Sequence, residues 1–349
     1  MRGDRRGPVT LEDVARHAGV SLATASRALN GSDRKVRKDL EERVLASAAV
    51  LDYTPNAQAQ AVARGRTDVI GLIVHDVADP YFSSIAAGVI EAADAEGLLV
   101  TLASTGRSAE REVQHVANLR AQRARAAILA GSRDTQTSRR GPLGREIAAF
   151  ESGGGRVVLI SQHRLDADTI VMENQAGAQA LACELAKLGY GRHAVLAGPS
   201  TLLAAADRVT GYRRGLTAAG LKVAENCVIQ GEFTRDGGYR AVEELIDRLD
   251  RIDCIFAVND IMAVGAMAAL RDHGYSVPGD VALAGFDDIA TLRDVTPRLT
   301  TVRMPLTDIG TQAVKLVLQP PAPQPRLRRV KGDVVLREST PGAVRTSHR

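Results

Sequence analysis

The chain has few of the residues and segments that mark metal proteins, exported proteins or membrane proteins. Its 349 residues include no tryptophan and only three cysteines, which form no CxxC pair and have no histidine at metal-ligand spacing. We therefore expect Cys183, Cys227 and Cys254 to be buried free thiols. No apolar run approaches the roughly 20 residues that span a bilayer, and the first residues, MRGDRRGP, lack a signal-peptide core. These absences predict a cytosolic protein without a metal site.

Catalytic motifs are also missing. There is no GxxxxGK[ST] loop, no GxGxxG after a strand, no GxSxG elbow and no HExxH. His75 alone among the histidines combines a predicted strand end with nearby carboxylates, Asp76 and Asp79. We favour a structural histidine with its hydrogen bonds satisfied over a general base. The sequence therefore predicts neither catalytic residues nor a cofactor.

A charge excess occurs only near the N-terminus. Residues 1–66 contain 12 Lys and Arg against 8 Asp and Glu, while the whole chain has 45 against 41, so the remaining 283 residues are neutral. A basic segment on a neutral body favours contact with phosphates. A solvated basic terminus is the alternative interpretation.

This basic segment carries a pattern typical of DNA-binding helices. Residues 9–31, VTLEDVARHAGVSLATASRALNG, predict two short helices that meet at a glycine corner. Thr10 is a good N-cap, with Asp13 at capping-box spacing. Gly19 supplies the positive φ of the corner, and Ser21 caps the second helix. A nine-residue helix is roughly 13 Å long and fits a major groove about 12 Å wide. A helical hairpin inside a core is the alternative.

The outer face of the second helix is expected to meet the DNA, because its small alanines lie on the inner face. Arg27 suits guanine, and Leu22 and Ala23 suit thymine methyl groups. Thr24 and Ser26 are better placed for phosphates. The helix pair thus contributes the candidates Thr10, Ser21, Leu22, Ala23, Thr24, Ser26, Arg27 and Asn30.

A third helix and a short linker follow. Apolar residues at helical spacing between positions 40 and 51 predict a helix that closes a three-helix core. Thr54 and Pro55 then start a helix of only about two turns, which is marginal in water. We expect this linker to become helical only against DNA and a partner copy.

From Asp68 onward, short apolar runs alternate with amphipathic helices. Continuous apolar strands between helices predict buried parallel sheets, here in two doubly wound lobes of an α/β core. The predicted strands are 69–74, 98–104, 126–131, 156–161, 193–198, 254–259 and 280–286.

Ligands of such sheets bind beyond the carboxyl ends of the strands. Polar residues collect there in this sequence, namely His75, Asp76, Asp79, Ser132, Ser161, Asn259, Asp260, Asp287 and Asp288. Because polar residues also cap the helices that follow strands, capping is the favoured role for any single one of them.

Seven blocks, in a fixed order along nearly the whole chain, resemble a known family. They are VTLEDVARHAGVSLATASRALNG, YTPNAQAQAVARGRT, DVADPYF, DRVTGYRRGL, AVNDIMAVGAMAAL, ALAGFDD and PRLTTVRMPLTDIG. The chain resembles the lactose/galactose repressor (LacI/GalR) family of bacterial transcription regulators. The resemblance implies an all-α helix-turn-helix headpiece, a core like a periplasmic sugar-binding protein, and a dimer on a near-palindromic operator. It also implies a linker helix that pushes Val62 between base pairs.

The resemblance assigns effector contacts to Arg208, Asn259 and Asp287, whose donors and acceptors suit sugar hydroxyls. Phe82 is expected to supply an apolar wall, with packing under the first core helix as the alternative. The full set of effector candidates is His75, Asp79, Phe82, Ser132, Ser161, Arg208, Asn259 and Asp287.

The sequence departs from the family pattern at several positions. Val62 replaces a usual leucine and makes a shorter wedge, and Gln60 replaces a frequent arginine. Arg37 replaces a capping serine and adds a phosphate-seeking charge. Ser161 stands where many relatives carry an acid, so we expect a weaker or different ligand contact. The remaining DNA candidates are Arg37, Tyr53, Asn56, Gln60 and Val62.

We expect a headpiece at 1–54, a hinge helix and linker at 55–67, a two-lobed core at 68–338 and a polar tail at 339–349. The favoured function is a homodimeric, effector-controlled transcription factor, a repressor that binds a sugar or related metabolite. A sugar-binding receptor module, or an enzyme acting on a small polyol or nucleoside, is the alternative. PPAPQP near the C-terminus is followed by one strand-like run rather than by heptads, which favours a dimer over a tetramer.

Overall fold

The N-terminal part of the molecule is a three-helix unit. The computed structural model describes residues 9–30, 36–54 and 65–343, and the chain divides into two compact units between Thr67 and Asp68. The helices of the first unit are α1 (Leu11–Ala18), α2 (Leu22–Asn30) and α3 (Lys38–Val50).

The corner between α1 and α2 forms as its sequence predicts. Thr10 accepts from the Asp13 N–H while the Asp13 carboxylate accepts from the Thr10 N–H, which completes a capping box. Gly19 ends α1 with φ +64°, a conformation that a residue with a side chain rarely adopts. From α3, Arg43 donates to the Ala18 carbonyl at 2.5 Å and places a cation at the C-terminal end of α1.

The three helices close a small apolar core, as predicted. Val14 of α1, Ala25 of α2 and Val44 of α3 are fully buried and pack against one another. The small side chains let the helices approach closely. Arg37 precedes α3 without a side-chain cap and pairs instead with Asp39 at 2.8 Å, which agrees with the loss of the capping serine.

The second unit is an α/β core with two lobes. The elements of its N-terminal part are β1 (Val69–Val74), α4 (Pro80–Asp94), β2 (Leu99–Ser104), α5 (Ala109–Ala121), β3 (Ala126–Ala130), α6 (Pro142–Ser152), β4 (Arg156–Ile160) and β5 (Asp168–Met172). These are followed by α7 (Asn174–Lys187), β6 (His193–Ala197), α8 (Leu203–Ala218), β7 (Val223–Gln230), α9 (Arg235–Glu243), β8 (Cys254–Ala257), α10 (Asp260–Asp272) and β9 (Ala282–Ala284). The last elements are β10 (Thr301–Arg303), α11 (Leu306–Val317), β11 (Leu327–Val330) and β12 (Asp333–Val335).

Each lobe is built on a parallel sheet. The N-terminal lobe has six strands in the order β11-β5-β4-β3-β1-β2, and the C-terminal lobe has four in the order β7-β6-β8-β9. Alternate residues of β1 enter different apolar clusters, with Leu72 packed among one set of helices and Ile73 among another. Helices therefore cover both faces of the sheet, which confirms the doubly wound fold. An antiparallel pair, β10 and β12, joins the lobes.

All seven predicted strands are present, with ends that differ by up to two residues. Strands β5, β7 and β10 were not predicted, because strands that carry polar residues lack the continuous apolar signal. The strand-like run after PPAPQP is divided between β11 and β12, which belong to different sheets.

The assignment of residues from 339 onward to a polar tail is wrong at its beginning. Ser339 and Thr340 are fully buried in the core. Ser339 Oγ donates to the Leu283 carbonyl at 2.6 Å, and Thr340 Oγ1 bonds with Thr300 Oγ1 at 2.6 Å. Partners from another segment satisfy these polar side chains, so polarity alone did not predict exposure.

The cysteines are free but not all buried. Cys254 is buried in β8, whereas Cys183 and Cys227 are partly exposed, which corrects the expectation for those two. In the parts of the chain that the structure describes, no helix has the length and hydropathy needed to cross a bilayer.

Candidate effector cleft and nucleic-acid interface

The carboxyl ends of strands from both lobes meet at one cleft. Seven of the eight effector candidates line a common cavity there: His75, Asp79, Phe82, Ser132, Arg208, Asn259 and Asp287. Tyr81, Arg107, Gln162, Met172, Leu202, Ala204 and Phe233 complete its wall. In this conformation the cavity has a volume of about 30 Å³.

A buried ion pair forms the polar centre of the cleft. Arg208 of α8 donates to both oxygens of Asp287, at 2.7 and 3.1 Å, and to Asn174 Oδ1 at 2.9 Å. Its guanidinium lies over the Phe286 ring, 3.9 Å from the centroid. Burial raises the pKa of Asp287 to about 6, although Arg208 opposes this shift. At neutral pH the pair offers charged donors and acceptors, which suits adjacent hydroxyls of a ligand.

Two of the candidates are helix caps as well as cleft residues. Asp79 accepts from the Tyr81 N–H at 3.0 Å at the start of α4, and Asn259 accepts from the Met262 N–H at 3.0 Å at the start of α10. The capping interpretation is therefore correct for both. Burial raises the pKa of Asp79. The Asn259 amide nitrogen makes no hydrogen bond within the described residues, so it remains available on the cleft side.

His75 does not have the hydrogen bonds that were expected for a structural histidine. Its side chain is 9% exposed, yet neither ring nitrogen has a hydrogen-bond partner in the described part of the chain. The ring packs against Phe82, with 5.9 Å between centroids, and against Gly131, where a Cβ would lie 2.4 Å from Nε2. Burial, reinforced by the charge of Arg133, lowers the pKa of His75 to about 4. The imidazole is neutral at pH 7.

Direct hydrogen bonds join the two lobes across the cleft. Ser132 Oγ accepts from the Ala204 N–H at 2.9 Å, and the Thr135 N–H donates to the Thr201 carbonyl at 3.0 Å. Residues 132–135 and 201–204, which we call the cleft bridge, thus pair along their backbones. Beside them Arg107 donates to the Phe233 carbonyl at 3.0 Å. These contacts hold the lobes in a closed arrangement.

Ser161 is the one effector candidate that does not line the cleft. It is fully buried, and its Oγ accepts from Arg133 Nε at 3.1 Å. Arg133 is itself paired with Glu112 through two bonds of 2.8 Å. Arg133, which follows the neighbouring strand β3, is therefore the hydrogen-bond partner of Ser161, in place of a ligand.

Several cleft residues were not among the sequence candidates. Arg107 lies three residues after the end of β2, so the rule that selects strand ends could have found it. Tyr81 follows the cap residue Asp79 and donates to Met172 Sδ at 2.9 Å. Phe233 follows β7, which was not predicted, and no local signal marks it. No cluster of His, Cys, Asp and Glu that could hold a metal ion occurs among the described residues.

In the headpiece, the outer face of α2 is open to solvent. Leu22 is 51% exposed, Ala23 and Arg27 are exposed, and Thr24 and Ser26 are partly buried. Ser21 Oγ accepts from the Thr24 N–H at 3.1 Å, so Ser21 caps α2 as predicted. An apolar and a basic side chain thus project from the first two turns of this helix.

The remaining DNA candidates fall in different places. Thr10 is exposed, and its hydroxyl is bonded to Asp13. Arg37 is exposed, and its bonds to Asp39 partly neutralise its charge. Tyr53 packs against the headpiece core. The side chain of Asn30, together with Asn56, Gln60, Val62 and the expected linker helix, lies outside the described residues.

Two family models match the chain. The model described as bacterial regulatory proteins, lacI family, matches residues 10–56. The model described as periplasmic binding proteins and sugar binding domain of LacI family matches residues 67–333. Together they cover the helical unit and most of the two-lobed core.

Curated relatives and solved structures agree with these matches. The transcriptional regulator GalR of Escherichia coli (strain K12) is 32% identical over 346 residues, which is 97% of this chain and 98% of GalR. CelR of Thermobifida fusca is 33% identical over 325 residues, 90% of this chain and 92% of CelR. The Lac repressor dimer bound to operator and the anti-inducer ONPF has a TM-score of 0.82 at 27% identity, covering 96% of this chain and 99% of that chain. A complex of CelR with cellobiose has a TM-score of 0.69 at 30% identity, covering 95% and 99%.

Proposed function

Since the chain belongs to the LacI family of bacterial regulatory proteins, we propose that it represses transcription by binding an operator and that a small sugar or related metabolite controls this binding. The observation that carries the proposal is the combination, in one chain, of an exposed α2 face and a closed cleft centred on the Arg208–Asp287 pair. We place this activity in the cytoplasm, where the DNA is.

The headpiece supplies sequence recognition. With its N-terminal end in a major groove, α2 brings Leu22, Ala23 and Arg27 to the base edges. Arg27 donates to guanine, and the other two contact thymine methyl groups. The net positive charge of residues 1–66 adds attraction to phosphates that does not depend on sequence.

The cleft supplies control. A sugar that bonds to Arg208, Asp287 and Asn259 touches groups fixed to the C-terminal lobe, while Asp79 and Phe82 belong to the N-terminal lobe. A ligand that contacts both lobes favours the arrangement in which they are close, and shifts the population accordingly. Among the relatives, CelR is solved with cellobiose, which supports a carbohydrate as the effector class.

We further propose that the protein acts as a homodimer on a near-palindromic operator. The relative solved on its operator is a dimer. Two headpieces read successive half-sites, so a change in lobe arrangement that alters the spacing of the headpieces alters affinity. By linkage, the effector and the operator change each other's affinity by the same factor.

The test is selection of DNA by the full chain from a random library, followed by anisotropy measurement of Kd at physiological salt. We expect a near-palindromic site bound about 10³-fold or more tightly than random DNA. Titration with a panel of sugars is expected to change that affinity for at least one of them. Equal affinity for selected and random DNA contradicts the proposal.

A further inference from the structure

A second cavity opens beside the cleft in the N-terminal lobe. We call it the side chamber. Its walls are the end of the β2–α5 connection with the first turns of α5 (107–113), the loop after β3 (132–138), and the start of α6 (141–143). Its volume is about 440 Å³. Small-molecule sites have volumes of about 300 to 1,000 Å³, so the side chamber has the size of a binding site.

The side chamber adjoins the cleft. His75, Arg107, Ser132 and Leu202 line both cavities. The cleft itself offers only about 30 Å³ around the Arg208–Asp287 pair in this conformation. Most of the space that a ligand could occupy next to the effector candidates therefore lies in the side chamber.

A histidine whose ring nitrogens make no hydrogen bond to the described residues lies at the junction of the two cavities. The His75 ring is about nine-tenths buried, and neither nitrogen is hydrogen-bonded within the described residues. Ring nitrogens that line a cavity can take a hydrogen-bond partner from a bound ligand. A ligand hydroxyl or bridging oxygen at this point would supply that partner. The neutral ring has one donor and one acceptor nitrogen for it.

The lining of the side chamber suits a sugar ring. Val113, Pro142 and Leu143 form an apolar wall, and Arg107 and Gln136 contribute donors at its edge. The Gln136 side chain makes no hydrogen bond in the described part of the chain, so it is available to a ligand. A pyranose presents an apolar C–H face together with hydroxyls at its rim, which matches this combination. No phenylalanine or tyrosine among the described residues lines the chamber.

Resting on the proposed function, we propose that the side chamber is a second effector subsite and that the effector is a disaccharide. The second ring lies against Val113 and Leu143, and the glycosidic linkage passes His75. The first ring bonds to Arg208 and Asp287 after the lobes have moved apart enough to admit it, because the present volume of about 30 Å³ is close to that of one water molecule. The chamber thereby sets the specificity for two-ring over one-ring sugars.

The experiment compares matched sugars on the full-length protein. Isothermal titration and thermal shift are carried out with glucose against cellobiose and maltose, and with galactose against lactose and melibiose. We expect at least one disaccharide to bind about tenfold or more tightly than either of its component monosaccharides. This comparison needs no variant.

Two substitutions then locate the second ring. Val113→Trp fills the chamber from α5, and Leu143→Trp fills it from α6. Each is expected to remove the disaccharide preference, which is a change of about tenfold in the ratio of the two affinities. Gln114→Trp is the matched control, because this exposed residue follows Val113 on α5 but does not line the chamber. Circular dichroism shows that each variant is folded.

Three results overturn the inference. They are a monosaccharide that binds as tightly as its disaccharides, folded Val113→Trp and Leu143→Trp proteins that keep the preference, and an absence of binding by every sugar of the panel. The selection of operator DNA uses no sugar, so its outcome judges the regulator function separately.

Discussion

His75 shows how a single buried side chain couples stability to pH. Burial and the charge of Arg133 hold the pKa of His75 at about 4 in the folded chain, against about 6.5 in the unfolded chain. Because the folded state disfavours protonation of this ring, the neutral ring makes its full contribution to the free energy of unfolding above pH 6.5. That contribution is lost progressively as the pH falls through 6.5 towards 4.

Replacement of His75 is therefore expected to flatten the acid side of the stability profile. Between pH 7 and pH 5 the wild-type protein loses about 2 kcal/mol of unfolding free energy through this group, and His75→Asn does not. Urea unfolding at the two pH values measures the difference. Burial raises the pKa of Asp260 to about 7, but that effect is common to both proteins. His273→Asn, at an exposed position, is the control. Equal losses in wild type and His75→Asn contradict the assignment.

Arg133 and Glu112 form a buried ion pair whose contribution to the free energy of unfolding can be measured. Their side chains are only 2% and 8% exposed, and two hydrogen bonds of 2.8 Å join them. Arg133→Met leaves the Glu112 charge buried without its partner, so we expect a loss of about 3–5 kcal/mol in unfolding free energy. Adding Glu112→Gln to this variant is expected to restore much of that loss. A double variant no more stable than Arg133→Met would show that the pair does not act as a unit.

Arg27 tests the recognition helix at the level of one base. Arg27→Ala is expected to weaken operator binding by about 1–3 kcal/mol and to relax specificity at one position. Thr24→Ala is expected to weaken binding to all sequences alike. Selection of DNA by each variant, with anisotropy on the selected and random sites, measures both effects. Arg271→Ala makes the same charge change on an exposed site of the core. Equal losses on cognate and random DNA for Arg27→Ala would show that Arg27 contacts only the backbone.

At the scale of elements, local sequence patterns predicted the structure wherever residues close in sequence determine the conformation. The capping box at Thr10, the left-handed Gly19 and the continuous apolar strand 69–74 each depend on neighbours in sequence. Strand β7 was missed, because at the edge of its sheet it carries polar residues on exposed positions.

The candidate site shows which contacts such local patterns do not predict. Strand-end polarity selected five of the residues that line one cleft, namely His75, Asp79, Ser132, Asn259 and Asp287, and the family resemblance added Phe82 and Arg208. It could not separate Ser161, whose buried bond with Arg133 depends on packing between strands. Contacts across the cleft, such as Ser132 with Ala204, join residues 72 positions apart. No periodicity in the sequence encodes such a pair, and the side chamber arises from the same long-range packing.

The cleft bridge is one of the contacts that hold the lobes together, and its loss is measurable. Ser132→Ala removes the acceptor of the Ala204 N–H and costs about 1 kcal/mol of the closed arrangement. We expect faster hydrogen exchange in residues 201–204 and a larger radius of gyration in solution scattering. Ser138→Ala is the control, since Ser138 lies in the same loop but its side chain makes no bond across the cleft. Unchanged exchange in Ser132→Ala would mean that the backbone pairing alone closes the cleft.

At the scale of the whole molecule, the two edges of the six-stranded sheet differ in exposed apolar surface. On the β2 edge, Leu99 is 67% exposed and Leu102 is 42% exposed, and Ile90 on α4, which packs against β2, is 50% exposed. On the opposite edge, β11 exposes Leu327 at 45%. Several large apolar side chains on neighbouring elements indicate a surface that another chain covers, whereas a single one is ordinary. We therefore place the homodimer contact on the β2 edge.

Charge on the β2 edge is accordingly expected to separate the protomers. Leu99→Asp buries a carboxylate in the contact, which is unfavourable without a partner, so sedimentation equilibrium should show monomers where the wild type is a dimer. A monomer carries one headpiece, and loss of the linked second headpiece lowers operator affinity by about 10²-fold or more. Leu327→Asp makes the same change on the opposite edge and is expected to leave both the dimer and the operator affinity intact. A Leu99→Asp protein that remains dimeric, or a Leu327→Asp protein that dissociates, would move the contact away from β2.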